Sequence, residues 1–275
     1  MARPILTDAS RDGLLAGFRA DLVATRLYNM DVPLIAHEEP DVAWAMPGVP
    51  SDMRGVVVWA AFEPATVEQR LDQLIAAFDA RGTSVIWWYV PDHRPEDLRD
   101  RLERRSFQLR DDTAGMAMDL ADLPDAVPAP DGVDIVEVDD PEAIARYVDV
   151  IIRSMAIDHP TLPANAAVVR ADHIRSRLGE DSLSRRFVAL LDGEPVATSR
   201  LSMAGGVAGL YTMVTLPHAQ RRGIGASMAH RAMAAGRDAG MRLGALQATA
   251  MGYPIYKKLG FVEILRCHML VRPAR

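Results

Sequence analysis

The sequence predicts an α/β fold, a mixed central β-sheet flanked by helices, laid down twice along one chain. Three observations carry this. Short apolar runs alternate with segments of helical period on both sides of a proline-rich stretch. The order of elements before that stretch repeats the last part of the order after it. A glycine-containing turn at residues 220–226 joins a strand to an amphipathic helix.

In the first half, residues 56–62 read as a buried strand and 67–80 as a helix ending in Asp79-Ala80-Arg81-Gly82. Residues 85–90 form a second buried strand, whose Trp87-Trp88-Tyr89 are read as packing. A helix over 95–105 carries a charged run at 99–105 on a solvated face, and a strand over 113–120 closes the half. The stretch Ala121-Asp122-Leu123-Pro124-Asp125-Ala126-Val127-Pro128-Ala129-Pro130-Asp131-Gly132 has no apolar period and reads as a linker. The division expected is therefore a first domain over 1–121, a linker over 122–132 and a second domain over 133–275.

The second half opens with an alternating strand at 133–138. A helix follows, with Asp140 as N-cap, Pro141 at its first position and Ile144, Val148 and Ile151 at helical spacing. A second helical stretch spans 164–178. Strands at 187–191 and 195–201 flank Asp192-Gly193, a hairpin signal. Residues 207–215 are a further strand, with Met203 near the preceding Gly205-Gly206 given no role. A helix over 224–239 ends at Gly240, with Met228 and Met233 in its core face. A strand at 243–247, a short helix at 254–259 and a closing strand at 261–271 complete the chain.

With 275 residues, 49 % of them hydrophobic and 25 % charged, the chain can bury a core in one large domain or two ordinary ones. A net charge of −6, and no basic run interleaved with aromatics, count against nucleic acid as a partner. The only cysteine, Cys267, rules out an intrachain disulfide and reads as an inert core thiol. No segment approaches the ~20 apolar residues of a membrane span, and the first eight residues lack the apolar region of a signal peptide. A cytoplasmic protein with no membrane partner is expected.

The turn Gln220-Arg221-Arg222-Gly223-Ile224-Gly225-Ala226 carries the chemistry. A strand-to-helix turn with glycines aims several backbone N–H groups and the positive end of a helix dipole at one point, where oxyanions bind. A dinucleotide loop would need a third glycine where Met228 stands, and a Walker loop would need Lys-Ser/Thr where Ala226-Ser227 stand. The turn matches instead the Gln/Arg-x-x-Gly-x-Gly/Ala motif of the Gcn5-related N-acetyltransferases. The lead-in Leu210-Tyr211-Thr212-Met213-Val214-Thr215-Leu216-Pro217 and the later Tyr256-x-x-x-Gly260-Phe261 also resemble that family. The first half resembles the same fold in degenerate form: it has no glycine between Gly55 and Gly82, and Leu102 stands where Tyr256 stands in the second half.

The resemblance implies an acyl-CoA-dependent N-acyltransferase, with acetyl-CoA or another acyl-CoA as co-substrate, no metal, and a small-molecule amine as acceptor. The cofactor-binding residues it implies are Met213, Val214 and Thr215 on a splayed strand, the turn Gln220, Arg221, Arg222, Gly223, Ile224, Gly225 and Ala226, and Thr249. The family has an aliphatic residue at the place of Thr215, and many relatives have an asparagine at the place of Thr249. Tyr256 is implied as the general acid toward the departing thiolate, with Tyr253 in a packing role. Asp158, His159 and Tyr211 are open as groups that could take the amine's proton, and the base is left unassigned. A CoA-binding sensor or scaffold, or a protein N-acetyltransferase, are the alternatives. The oligomeric state is open between a monomer whose halves pair within the chain and a homodimer.

Overall fold

The computed structural model describes residues 4–49, 54–158, 165–178 and 183–274, with the backbone alone at 157 and 158. The first half runs α1 (Arg11–Tyr28), β1 (Leu34–Glu38), β2 (Val42–Pro47), β3 (Gly55–Ala60), α2 (Val67–Asp79), β4 (Val85–Tyr89), α3 (Leu98–Arg104) and β5 (Gln108–Asp119). The second runs β6 (Val133–Glu137), α4 (Pro141–Asp158), α5 (Ala166–Ser176), β7 (Ser184–Leu191), β8 (Glu194–Ser202), β9 (Ala208–Thr215), α6 (Ile224–Asp238), β10 (Leu243–Ala248), α7 (Tyr253–Lys258) and β11 (Val262–Arg272).

Local signals act where the sequence places them. Asp140 caps α4 by accepting from the Ala143 N–H at 2.8 Å. Asp192 and Gly193 both have positive φ, as a tight two-residue turn between β7 and β8 requires. The repeat extends to single hydrogen bonds. After α7 the Phe261 N–H donates to the Tyr256 carbonyl at 3.1 Å, and after α3 the Phe107 N–H donates to the Leu102 carbonyl at 3.1 Å. Leu102 thus holds the backbone position of Tyr256 without its hydroxyl.

Among the described residues the strands form one eleven-stranded sheet, in the order β1-β2-β3-β4-β11-β5-β10-β9-β8-β7-β6. Each half lends its last strand to the other. β5 lies between β11 and β10, and β11 lies between β4 and β5. Ala114, Met116 and Met118 of β5 therefore sit in the core of the second half, and Leu270 of β11 in that of the first. A bidentate pair from Arg272 to Asp79 (2.6 and 2.9 Å) ties β11 to the end of α2. The exchange also lengthens β5 beyond the expected 113–120. The polar start Gln108-Leu109-Arg110-Asp111-Asp112 is a strand because it pairs with the far end of β11.

The first helix, β1 and β2 are additions to the expected elements. α1 buries Gly13, Gly17, Asp21 and Thr25, a stripe of small and polar residues four apart, beside Leu14, Phe18 and Leu22. It lies across the sheet and touches both halves: Leu14, Phe18 and Leu22 pack with Val207, Leu243 and Ala245 of the second half. The helices thus take opposite faces. Leu243 and Ala245 of β10 face α1, while Leu246 and Ala248 face α6.

Candidate functional site

β9 and β10 run parallel and pair only through Ala208–Gly244, Gly209–Ala245 and Leu210–Leu246. Beyond Leu210 and Leu246 they part. β9 keeps its pairing with β8, with a register shift around Thr198–Arg200. Opposite that shift Thr212 is held at φ +49°, a conformation costly for a β-branched residue and one that re-aims the strand. The Thr198 hydroxyl donates to the Thr212 carbonyl at 2.9 Å and fixes the bend.

The α6 face of this opening is a cavity of about 850 Å³, the size of a small-molecule site. Met213 and Thr215 line it from β9. Gln220, Arg221, Gly223, Ile224, Gly225 and Ala226 line it from the turn, and Thr249 and Tyr256 from beyond β10. These residues, expected from a motif and from strand position to hold the cofactor, line one cavity. Val214, paired with Thr198 of β8, and Arg222 are not among the lining residues. The Gln220 side chain donates to the Thr215 carbonyl at 2.9 Å, pinning the turn to the strand end.

The turn leaves a row of backbone donors free. Arg221 at φ +60° and Gly223 at φ +90° bend the chain twice between the extended Gln220 and the start of α6, the kind of turn in which successive backbone N–H groups can form an anion-binding concavity. Among the described residues no group accepts from the N–H of Arg221, Arg222, Gly223, Ile224 or Gly225, whereas those of Ala226 and Ser227 are taken by the Gly223 carbonyl. At Gly225 a Cβ would stand 3.5 Å from Ile255 Cδ1 and 3.9 Å from Thr215 Oγ1, at the cavity wall. Lys258 adds a cation to the lining beside Arg221.

Tyr256 is 7 % exposed. Its ring packs edge-on to Phe261 at 6.1 Å. Burial pushes its phenol up to about 12, so it stays protonated across the neutral range. Gly252 leaves room for it: a Cβ there would come within 2.8 Å of the Tyr256 ring. The Thr249 hydroxyl accepts from the Gly252 N–H at 3.3 Å and so braces the start of α7.

The stretch between the halves, read from sequence as a linker, is docked along α6. Ser227 Oγ donates to the Pro128 carbonyl at 3.0 Å, and His230 Nε2 lies 2.7 Å from the Pro124 carbonyl. Pro124 and Val127 thereby become cavity wall, together with Met251. Sequence reasoning assigned these no part in the site, since a proline-rich stretch carries no sign of what it lies against.

The corresponding place in the first half is built differently. β3 and β4 pair through Gly55–Val85, Val56–Ile86 and Val57–Trp87 and then part in the same way. The gap is stitched by the Arg94 N–H donating to the Ala60 carbonyl (3.0 Å) and the Phe62 N–H to that of Arg94 (3.1 Å). Residues 61–66 contain no glycine. A separate cavity of about 600 Å³ lies on the α1 face there, lined by Leu22, Val58 and Trp59 and by Arg19 and Asp92, which pair at 2.9 Å.

Of the residues open as proton acceptors, His159 and the Asp158 side chain lie outside the described residues. Tyr211 is placed. It is 7 % exposed, faces α1, and donates its hydroxyl proton to Asp21 Oδ2 at 2.6 Å. Burial pushes the Asp21 carboxyl up to about 7, against hydrogen bonds from Tyr211 and Thr25 and the charges of Arg200 and Arg26. An acid whose folded pKa exceeds its unfolded value binds protons more tightly when folded, so stability falls as pH rises between the ordinary 3.8 of an aspartate and about 7. At ~1.4 kcal/mol per unit this reaches ~4 kcal/mol. Asp21→Asn should therefore melt above the wild type at pH ~8 and beside it at pH ~4; parallel melting curves at both pH values would place the slope elsewhere.

Residues 182–263 match the family model of the acetyltransferase (GNAT) domain. No curated protein matches the sequence. A GCN5-related N-acetyltransferase from Kribbella flavida is similar in structure, with TM-score 0.66 and 20 % identity over 98 % of this chain and 97 % of that one. A GCN5-related N-acetyltransferase from Sphaerobacter thermophilus has TM-score 0.61 and 14 % identity over 86 % and 81 %. A tandem GNAT protein from the clavulanic acid biosynthesis pathway has TM-score 0.57 and 16 % identity over 98 % of each chain. The fold is that of a tandem GNAT protein, and no helix among the described residues is long and apolar enough to cross a membrane.

Proposed function

Since its second half carries a GNAT acetyltransferase domain, the chain is an enzyme of the acyltransferase class, and we propose that it moves an acetyl group from acetyl-CoA directly to an amine of a small molecule in the cytoplasm. The observation that carries this is the row of free backbone donors at 221–225, an anion cradle opening into the same cavity as Tyr256. A diphosphate fits five N–H groups at a helix start that have no partner among the described residues, with Arg221 and Lys258 in the lining of the same cavity. The glycine at 225 keeps the cavity wall clear of a side chain. Bound there, coenzyme A supplies a thioester, already activated for acyl transfer.

The chain's own residues then divide the work. The edge of β9 that parts from β10 offers backbone groups along Met213–Thr215 to an extended arm and to the oxygen that gains charge in the transition state. Tyr256 Oη donates toward the leaving sulfur. With its phenol at about 12 against ~8.5 for a thiol, complete transfer of the proton is uphill. The hydroxyl therefore acts by stabilising charge as it builds on the leaving group. Thr249 serves by bracing α7, which carries Tyr256. One acyl-CoA per chain is expected, because the first half has the stitched strand ends and no glycine turn.

The test is an acetyl-CoA-dependent assay over a panel of amines, run on wild type and Tyr256→Phe. The variant should lose ~10²-fold in kcat with acetyl-CoA affinity by calorimetry unchanged, and no pH limb from Tyr256 should appear near neutrality. Equal turnover would remove Tyr256 from the chemistry. Tight acetyl-CoA binding with no amine acetylated would turn the reading toward a sensor.

A further inference from the structure

The buried Asp21 stands out because it belongs to the half that lacks the cradle, yet reaches the point where β9 and β10 part. Tyr211 is the first residue of β9 past its last pair with β10, and Gln247 the first of β10. Across that gap Arg26 of α1 donates to Gln247 Oε1 at 2.8 Å, and its guanidinium lies 4.5 Å from the Trp88 ring and 5.2 Å from the Tyr211 ring. Arg200 of β8 lies 5.2 Å from the same Tyr211 ring. Behind Tyr211, Asp21 Oδ2 accepts its proton and Asp21 Oδ1 accepts from Thr25 Oγ1 at 2.9 Å. Room for the carboxylate is made by Gly209, where a Cβ would fall 2.2 Å from Asp21 Oδ1, and by Gly205, where one would fall 2.5 Å from the Asp21 Cα.

We propose that Tyr211 and Asp21 form the proton relay that deprotonates the acceptor amine, with the base supplied by the half of the chain that binds no cofactor. This rests on the acyltransferase reading above and names the group that reading leaves open. In the relay the acceptor ammonium gives one N–H proton to Tyr211 Oη while the Tyr211 hydroxyl proton passes to Asp21 Oδ2. The O–H bond of Tyr211 breaks as a new one forms, Asp21 goes from carboxylate to acid, and the neutral amine keeps its lone pair for attack. The amine's second exchangeable proton, released after attack, makes up the thiol. Asp21 returns its proton along the same path when the product has left.

The surroundings favour this direction of transfer. An ammonium that reaches Tyr211 meets the guanidiniums of Arg26 and Arg200, which disfavour a third cation and favour the neutral amine. Asp21, held up to about 7 by burial, is a base matched to neutral pH. The groups facing it are Thr25 and Arg26 on its own helix, Arg200 on β8 and Tyr211 on β9. The Cys267 thiol of β11, which faces Arg26, is pushed up to about 12 by burial and does not titrate with it. On the other side of Thr25, Ser202 and Asn29 extend the hydrogen-bonded chain at 2.6 and 2.8 Å, and it ends on the Arg177 guanidinium, which donates to Asn29 Oδ1 at 3.3 Å.

The experiment compares wild type, Asp21→Asn, Tyr211→Phe and the double variant. Each is checked for folding by thermal melting and for acetyl-CoA binding by calorimetry, and then assayed as a function of pH. The acceptors are a primary alkylamine and a weakly basic arylamine chosen from those the wild type acetylates. Both single variants should lose ~10²-fold in kcat/KM for the alkylamine and much less for the arylamine, which arrives unprotonated. The double variant should lose no more than either single one, because the two groups act in series. The wild-type rate should fall below pH ~7 and that limb should vanish in Asp21→Asn. A limb that persists in Asp21→Asn, equal losses for both amines, or additive losses in the double variant would each overturn the relay and leave the acyltransferase standing. A wild type that binds acetyl-CoA but acetylates no amine overturns both.

Discussion

Gly225→Glu should abolish acetyl-CoA binding while leaving the fold intact. Gly225 sits in the first turn of α6, in ordinary helical conformation, and its added Cβ would meet Ile255 Cδ1 and Thr215 Oγ1 at 3.5 and 3.9 Å, both normal contacts. A glutamate in a first helical turn is favourable to the helix, since its carboxylate satisfies the same free N–H groups and the dipole that a diphosphate would use. The substitution thus fills the cradle with a charge of the ligand's own sign. A loss of at least ~100-fold in affinity, about 2.7 kcal/mol, is expected by calorimetry, with a melting temperature at or slightly above the wild type. Unchanged affinity would place the cofactor elsewhere. Gly223 is the poorer test. Its φ of +90° makes any side chain strain the turn, so lost binding there would not separate charge from misfolding.

Asp31→Ala should destabilise the protein by ~3–5 kcal/mol, because it breaks a buried ion cluster that joins the halves. Asp31 follows α1 and is 1 % exposed. Its carboxylate takes a bond from Arg186 Nε at 2.7 Å and one from the Tyr147 hydroxyl at 2.9 Å. Arg170 and Arg200 each lie 3.8 Å away. Every one of these partners comes from the second half. Burial alone would raise the Asp31 carboxyl, but Arg186, Arg200 and Arg170 outweigh it and hold the group well below the usual carboxylate range. The contribution is therefore present above the unfolded pKa of ~3.9 and is lost only as pH falls through the much lower folded value. Removing the carboxylate leaves three guanidiniums clustered around the space it filled. Urea denaturation at neutral pH measures the loss. A change below ~1 kcal/mol would mean that backbone acceptors such as the Asn29 carbonyl, already bonded to Arg200, take up the charge.

Much of the second half was legible because its signals are local. Asp140-Pro141 starts α4, Asp192-Gly193 turns β7 into β8, and residues 220–226 form a turn whether or not the rest of the chain is known. Tyr256 could be placed from the spacing to Gly260-Phe261. The first helix was not among the expected elements, and the part its polar residues play was not legible. Its buried face sets Gly13, Gly17, Asp21 and Thr25 beside the apolar stripe Leu14, Phe18 and Leu22, and nothing in the sequence marks those small and polar members as buried against β9. Nor could Pro124 and Val127 be recognised as cavity wall, since the docking of their segment depends on Ser227 and His230, some hundred residues away along the chain.

The strand exchange and the polar centre show the same limit most sharply. β5 and β11 are both long closing strands after a short helix, and pattern alone would let each complete its own half. Which edge a strand joins is settled by the competition of whole faces for burial, with Met116 and Met118 buried against α6 and Leu270 against the first core. By itself the sequence determined the repeated α/β order, the turn at 220–226 and the tyrosine beside it, because each follows from backbone preferences within a few residues. Only the tertiary structure decided that the halves share one sheet and that Asp21 meets Tyr211, 190 residues away. A hydrogen bond between buried polar groups leaves no periodic trace in sequence, and it exists only once packing has removed the water that would otherwise satisfy both partners.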